Sequence, residues 1–229
     1  MCIVAANFKM HKTRSETKKY IDELKKMDFK DVKVTVFPPF TAFIEDELIG
    51  AQNAYPAVNG AYTGEIGLEQ LNEFNIKKIL IGHSERRHIL GESQEFIAKK
   101  FDFYKKNNFE IFYCVGEPLE VRKNGLKAVI EYIKSQFIGI DLNYDKLIIA
   151  YEPVWAIGTG VSAKLEEIKE THAEIRKFTS RPIIYGGSVK LNNIKEILSI
   201  ENVDGVLVGS ASLDVNVFKE MIKIAKDIK

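Results

Sequence analysis

The chain has 229 residues; 28 % are charged, yet the net charge is only +1. That balance supplies neither a basic face for nucleic acid nor a polybasic membrane anchor. An apolar share of 45 % suffices for a large core,, while no run approaches the ~20 apolar residues of a membrane-spanning helix.

The two cysteines, Cys2 and Cys114, both lie inside apolar runs. Two thiols in a chain of this length do not make a disulfide framework, and both read as reduced thiols of a cytosolic protein. The apolar stretch Ile3–Ala6 is too short for a signal peptide and ends at Asn7 and Lys9,. A soluble, cytoplasmic protein is the expectation.

In chain order, eight short apolar runs read as buried strands: Cys2–Asn7, Lys33–Phe37, Leu48–Asn53, Lys78–Gly82, Glu110–Val115, Leu147–Glu152, Pro182–Gly186 and Gly205–Gly209. Most are continuously apolar rather than alternating, as in parallel strands covered on both faces. Longer segments between them carry helical stripes. The clearest are Leu126, Val129, Ile130, Ile133 and Phe137; Leu165, Ile168, His172 and Ile175; and Phe218, Met221, Ile222 and Ala225. A short helix is expected near Thr41–Glu47. Strand-then-helix units repeated eight times suggest a closed α/β fold, a single (β/α)8 barrel spanning residues 1–229,. Periodicity alone leaves an open doubly wound sheet as the alternative. There is no linker-like segment and no Gly-rich dinucleotide fingerprint.

Polar residues break the apolar runs at their carboxyl ends, where barrels place their active sites. Asn7 and Lys9 end the first run, and Gln52 and Asn53 the third. His83, Ser84 and Glu85 follow the fourth, and Glu152 ends the sixth. Lys, His and Glu converging on one rim point to catalysis. Pro153 pushes Glu152 into an extended conformation that presents its carboxylate at the strand tip. His83 precedes a short helix from Ser84, whose N-terminal dipole favours the neutral imidazole, still able to donate to a developing oxyanion.

Gly158-Thr159-Gly160 and Gly186-Gly187-Ser188 are glycine-rich loops without a Walker lysine. Gly209-Ser210-Ala211-Ser212 leads into a helical stretch. Backbone N–H groups in such loops and at helix starts suit a phosphate. His172 lies on an apolar stripe and reads as packing. His11 and His88 read as solvated, and Cys114 as structural, with no base adjacent in sequence. No His/Cys/Asp spacing suggests a metal, and no cofactor is implied.

Together these segments resemble the triosephosphate isomerase family. Asn7-Phe8-Lys9-Met10 is similar to its first catalytic loop. Gly82-His83-Ser84-Glu85-Arg86-Arg87 resembles its electrophile motif, and Ala150 through Gly160 its base and mobile lid. Tyr185-Gly186-Gly187-Ser188-Val189 and Val208-Gly209-Ser210-Ala211-Ser212 resemble its phosphate loops, and Gly60-Ala61-Tyr62-Thr63-Gly64-Glu65 its dimer loop. The match runs through the whole chain in order.

The resemblance implies interconversion of dihydroxyacetone phosphate and glyceraldehyde 3-phosphate in glycolysis and gluconeogenesis. It implies Glu152 as the base, His83 as proton donor and shuttle, and Lys9 as the cation beside enediolate and phosphate. Asn7 would orient substrate oxygens, and Glu85 would position Lys9. Gly158, Ser188, Gly209 and Ser210 would hold the phosphate, under a lid at Pro153–Gly160. It further implies a homodimer in which Thr63 reaches the partner's site.

The chain departs from the family at Phe8, His11, the Val161-Ser162-Ala163 hinge and Ser210, the last standing where a second glycine is usual. A different phosphosugar isomerase or lyase would lack the lid and histidine pair. A non-catalytic phosphometabolite-binding protein would be expected to have lost Glu152, His83 or Lys9.

Overall fold

The computed structural model describes residues 1–157 and 162–228. Its strands are β1 (Cys2–Asn7), β2 (Val32–Phe37), β3 (Lys78–Ile81), β4 (Glu110–Val115), β5 (Leu147–Tyr151), β6 (Ile183–Tyr185) and β7 (Gly205–Val208). Interleaved are α1 (Arg14–Leu24), α2 (Leu68–Glu73), α3 (Ser84–His88), α4 (Gln94–Lys106), α5 (Leu119–Arg122), α6 (Leu126–Gln136), α7 (Leu165–Arg176), α8 (Ile194–Leu198) and α9 (Val215–Ile228). All strand pairs are parallel, in the order β2-β1-β7-β6-β5-β4-β3. Among the described residues no helix is long and apolar enough to cross a membrane.

The result is a nearly closed parallel barrel of seven strands. Where Leu48–Asn53 reads from sequence as a further strand, the chain makes only isolated bridges, Val36 with Ile49 and Ala51 with Ile79. Four backbone hydrogen bonds nevertheless fill the gap between β2 and β3. Leu48 and Ala51 oxygens accept from Val36 and Leu80 at 2.7 and 2.8 Å, and Gly50 and Ala51 N–H groups donate to Val36 and Lys78 at 2.9 Å each. The segment is too short to form a ladder because the chain turns away at Gln52, whose side chain takes over the bonding. The helix expected near Thr41–Glu47 is a single 3-10 turn, Phe40–Ala42, following Pro38-Pro39. A helix cannot begin upstream of these prolines, and only a short connection remains before Leu48.

The doubly apolar strands are explained by their two faces. Ile3, Ala5, Phe37, Leu80, Phe112, Cys114, Ile148, Ala150, Ile184 and Leu207 fill the barrel interior. The alternate residues, such as Val4, Ile111, Tyr113 and Ile149, pack outward against the helices,. The stripes expected for α6, α7 and α9 are the buried faces: Val129, Ile130 and Ile133; Ile168, His172 and Ile175; and Phe218, Met221, Ile222 and Ala225. Thr13 and Glu16 start α1 with a reciprocal capping box,.

Candidate active site

A cavity of about 540 Å3 opens at the carboxyl ends of the strands. Asn7, Lys9, His83, Glu152, Ser188, Gly209 and Ser210 all line it, so residues spread over the whole chain meet in one hollow. Glu85 lies on its far side, in an adjoining cavity of about 370 Å3 that shares Asn7, Lys9 and His83. Gly158, with Thr159, Gly160 and Val161 of the lid and hinge segment, lies outside the described residues.

The turn after β1 sets the position of Lys9. Its φ is +51°, a left-handed conformation that a residue with a side chain adopts at a cost,. Two contacts hold it there. Asn7 Oδ1 accepts the Lys9 N–H at 2.9 Å, and Gln52 Nε2 donates to the Lys9 carbonyl at 2.8 Å. Gln52 also donates to Phe37 O at 2.8 Å, tying this turn to β2. The Lys9 ammonium then meets Glu85 Oε1 at 2.6 Å.

His83 caps α3. Its Nδ1 accepts the Glu85 N–H at 3.3 Å, which leaves the ring proton on Nε2 by inference from the bonding,. Nε2 is then the ring's donor, and it faces Glu152 Oε1 at 3.3 Å. Arg87 secures the strand tip beneath it, donating to Gly82 O at 2.7 Å and Cys114 O at 3.1 Å.

Glu152 follows β5 and is only 2 % exposed. Ser84 N–H donates to its Oε2 at 3.2 Å. Gly186 makes room for it, since a Cβ there would lie 2.8 Å from Glu152 Cγ. Below it, inside the barrel, sits Cys114. Burial and the neighbouring Glu152 charge push this thiol's pKa well up, so it stays protonated,. Sequence shows no base near Cys114 because the two strand ends adjoin only once β4 and β5 pair.

The residues on either side of Glu152 are anchored as well. Tyr151 Oη and Trp155 Nε1 both donate to Glu117 Oε1, at 3.2 and 3.1 Å. Glu117 is fully buried, and burial raises its carboxyl pKa above the usual range.

The opposite wall is made of small residues. Gly209 adopts φ −85° and ψ −118°, which a Cβ disfavours, and it leads into the 3-10 turn Ser210–Leu213,. Ser210 is therefore accommodated: the unusual backbone falls on Gly209, while Ser210 keeps a negative φ. Ser188 is half-buried and Ser210 exposed. Ser212 Oγ donates to Gly209 O at 2.7 Å and fixes the turn. His11 and Lys190 also line the cavity. His11 reads from sequence as merely solvated, and nothing in the sequence marks Lys190, because only the loops' arrival at one rim brings them in.

The sequence matches the triosephosphate isomerase family model over residues 2–225. The chain belongs to the triosephosphate isomerase family. It is 60 % identical to the triosephosphate isomerase of a Sulfurovum species, over 96 % of this chain and 99 % of that one. It is 56 % identical to that of a Nitratiruptor species over 99 % and 100 %. With that of Helicobacter hepaticus the identity is 50 %, over 99 % and 100 %. Each is a curated triosephosphate isomerase of nearly the same length, so the family assignment covers the whole cavity rim.

Proposed function

We propose that Glu152 is the base with which this aldose–ketose isomerase moves a proton between adjacent carbons of a triose phosphate, interconverting dihydroxyacetone phosphate and D-glyceraldehyde 3-phosphate. The observation that carries the reading is the Glu152–His83 pair: a carboxylate and an imidazole Nε2, 3.3 Å apart in the wall of the cavity that also holds Lys9.

A substrate carbonyl entering between them takes the Nε2 hydrogen of His83, and Glu152 abstracts the proton from the neighbouring carbon. The C–H electron pair becomes the carbon–carbon double bond, and the carbonyl oxygen gathers the negative charge. His83 donates to that oxygen and passes protons between the two oxygens. Lys9 and Asn7 stabilise the enediolate, and Glu152 returns its proton to the other carbon. No redox partner is needed, since one carbon is reduced as its neighbour is oxidised.

The phosphate lies against Ser188, Gly209 and Ser210, whose N–H groups are neutral donors on a rigid loop and turn. Gly158 completes this set in the family pattern. Glu85 holds the Lys9 ammonium in place.

A positioned base contributes roughly 10²–10⁴-fold to a rate. Glu152→Gln is nearly isosteric and keeps the bond from Ser84 N–H. It is expected to lose at least that much kcat in an assay coupled to glycerol-phosphate dehydrogenase, with an unchanged circular dichroism spectrum. Turnover near that of the unsubstituted enzyme would remove Glu152 from the role.

The protein further works as a cytoplasmic homodimer of single-domain barrels, with the segment at Leu48–Ala51 standing as the eighth stave. Thr63 in the exposed Gly60–Glu65 loop enters the partner's smaller cavity, beside Met10 and Leu90, which are 93 % and 63 % exposed. Large apolar side chains this exposed favour a covered surface. Light scattering at micromolar concentration is expected to give twice the chain mass of 26.0 kDa; a fully active species of one chain mass would refute the dimer.

A further inference from the structure

We infer that Lys190 is a second cation of the substrate site, one that draws the phosphate dianion to the wall of Ser188, Gly209 and Ser210; this rests on the phosphate placement proposed above. Lys190 lies in the loop after β6. Its backbone is held at both ends of a three-residue span by one side chain. Asn193 Oδ1 accepts the Lys190 N–H at 2.7 Å, and Asn193 Nδ2 donates to the Ser188 carbonyl at 3.0 Å. Val189, between them, is buried. The clamp fixes where the Lys190 side chain leaves the loop, two residues from Ser188.

Lys190 lines the catalytic cavity and also a neighbouring pocket of about 310 Å3. It is exposed, and no carboxylate of the described residues pairs with it. Glu196 shares the neighbouring pocket without forming an ion pair. Lys9 differs, because its ammonium is already bound to Glu85 at 2.6 Å. The remaining groups of the phosphate wall, Gly187, Ser188, Gly209 and Ser210, are uncharged. A substrate carrying close to two negative charges therefore meets, among the described residues, neutral donors and an ammonium without a counter-ion at the rim. A solvated lysine in this position acts on encounter and on ground-state binding rather than on the proton transfer, and salt screens it.

The test is steady-state kinetics of Lys190→Gln, Lys190→Arg and Ser210→Glu at low and high ionic strength, with inorganic phosphate as competitive inhibitor. Lys190→Gln is expected to lower kcat/KM about 3- to 10-fold at low salt, through KM, with kcat within about two-fold. The phosphate inhibition constant should rise by a similar factor, and kcat/KM should depend less steeply on salt than in the unsubstituted enzyme. Lys190→Arg should restore all three. Ser210→Glu places a carboxylate on the same wall and reports on the phosphate placement itself. If Ser210→Glu weakens phosphate inhibition while Lys190→Gln leaves KM, inhibition and salt slope unchanged, the role of Lys190 falls and the placement stands. A Lys190→Gln variant that loses kcat with an unaltered salt slope overturns the role too. If Ser210→Glu inhibits as readily with phosphate as the parent does, the placement falls, and Lys190 with it.

Discussion

The two halves of the cavity are built from different materials. On the side proposed for proton transfer, Glu152 and His83 are buried to 2 % and 7 % exposure, and each is held by a backbone N–H of α3. On the side proposed for the phosphate the wall is glycine and serine, half-buried or exposed at Ser188, Gly209 and Ser210. Proton transfer depends steeply on distance and on which atom carries the proton, so its groups are kept dry and singly oriented. A phosphate presents several equivalent oxygens, and a cradle of backbone donors suffices. Under the proposed mechanism chemistry and grip can thus be varied separately, and the turn after β1 is where they meet, because Lys9 would belong to both.

That separation can be broken most directly at His83. Glutamine keeps a donor of similar reach but loses the imidazole's ability to pass protons between two oxygens. His83→Gln is expected to cost about 10²–10³-fold in kcat with KM little changed. A variant whose KM rises while kcat holds would show that the buried half also carries binding.

Gln52→Ala sharpens the comparison at the junction. It removes the donor to both the Lys9 and Phe37 carbonyls and loosens a left-handed residue that is costly to hold,. Because Lys9 serves both halves, kcat and KM are both expected to worsen, each by roughly 3- to 10-fold, the size of one lost neutral hydrogen bond. Kinetics identical to the parent would show that Asn7 and Glu85 alone position the lysine.

The smallest effect on activity, and a separate effect on stability, is expected outside the cavity at His172. It is buried between Tyr151 and Tyr185, with Nδ1 3.0 Å from Asn202 O. Burial lowers its pKa from 6.5 to about 4. The folded state therefore resists a proton that the unfolded chain accepts. Stability is intact above pH 6.5 or so, falls as the pH drops towards 4, and levels off below that, with a total change of up to about 3 kcal/mol,. His172→Gln should flatten this part of the curve with kcat nearly unchanged, as urea midpoints at about pH 7 and about pH 4.5 would show. An equal loss of stability in both proteins would assign the acid sensitivity elsewhere.

Much of the candidate site was legible before folding because barrel strands are apolar on both faces. A polar residue at the end of such a run stands out, and Asn7, His83 and Glu152 do so in this way. Continuous apolarity likewise marks the strands and the parallel sheet. At Leu48–Asn53 it marks a segment that contributes two parallel bridges rather than a full ladder. It says nothing of Thr41–Glu47, where prolines and a short span leave one 3-10 turn.

The sequence by itself determined the strand and helix repeat, the family, and the carboxylate, imidazole and ammonium of the candidate site, because these are properties of residue type and local order. Only the tertiary structure decided what each group touches. It set Cys114 beneath Glu152, gave His83 its tautomer through Glu85 N–H, and put Gln52 on the Lys9 carbonyl. It also moved the backbone demand of the turn after β7 to Gly209, leaving Ser210 unstrained, and brought Lys190 to the rim. Those contacts join residues far apart in the chain, and they exist only once parallel strands have brought their carboxyl ends to one side of the barrel.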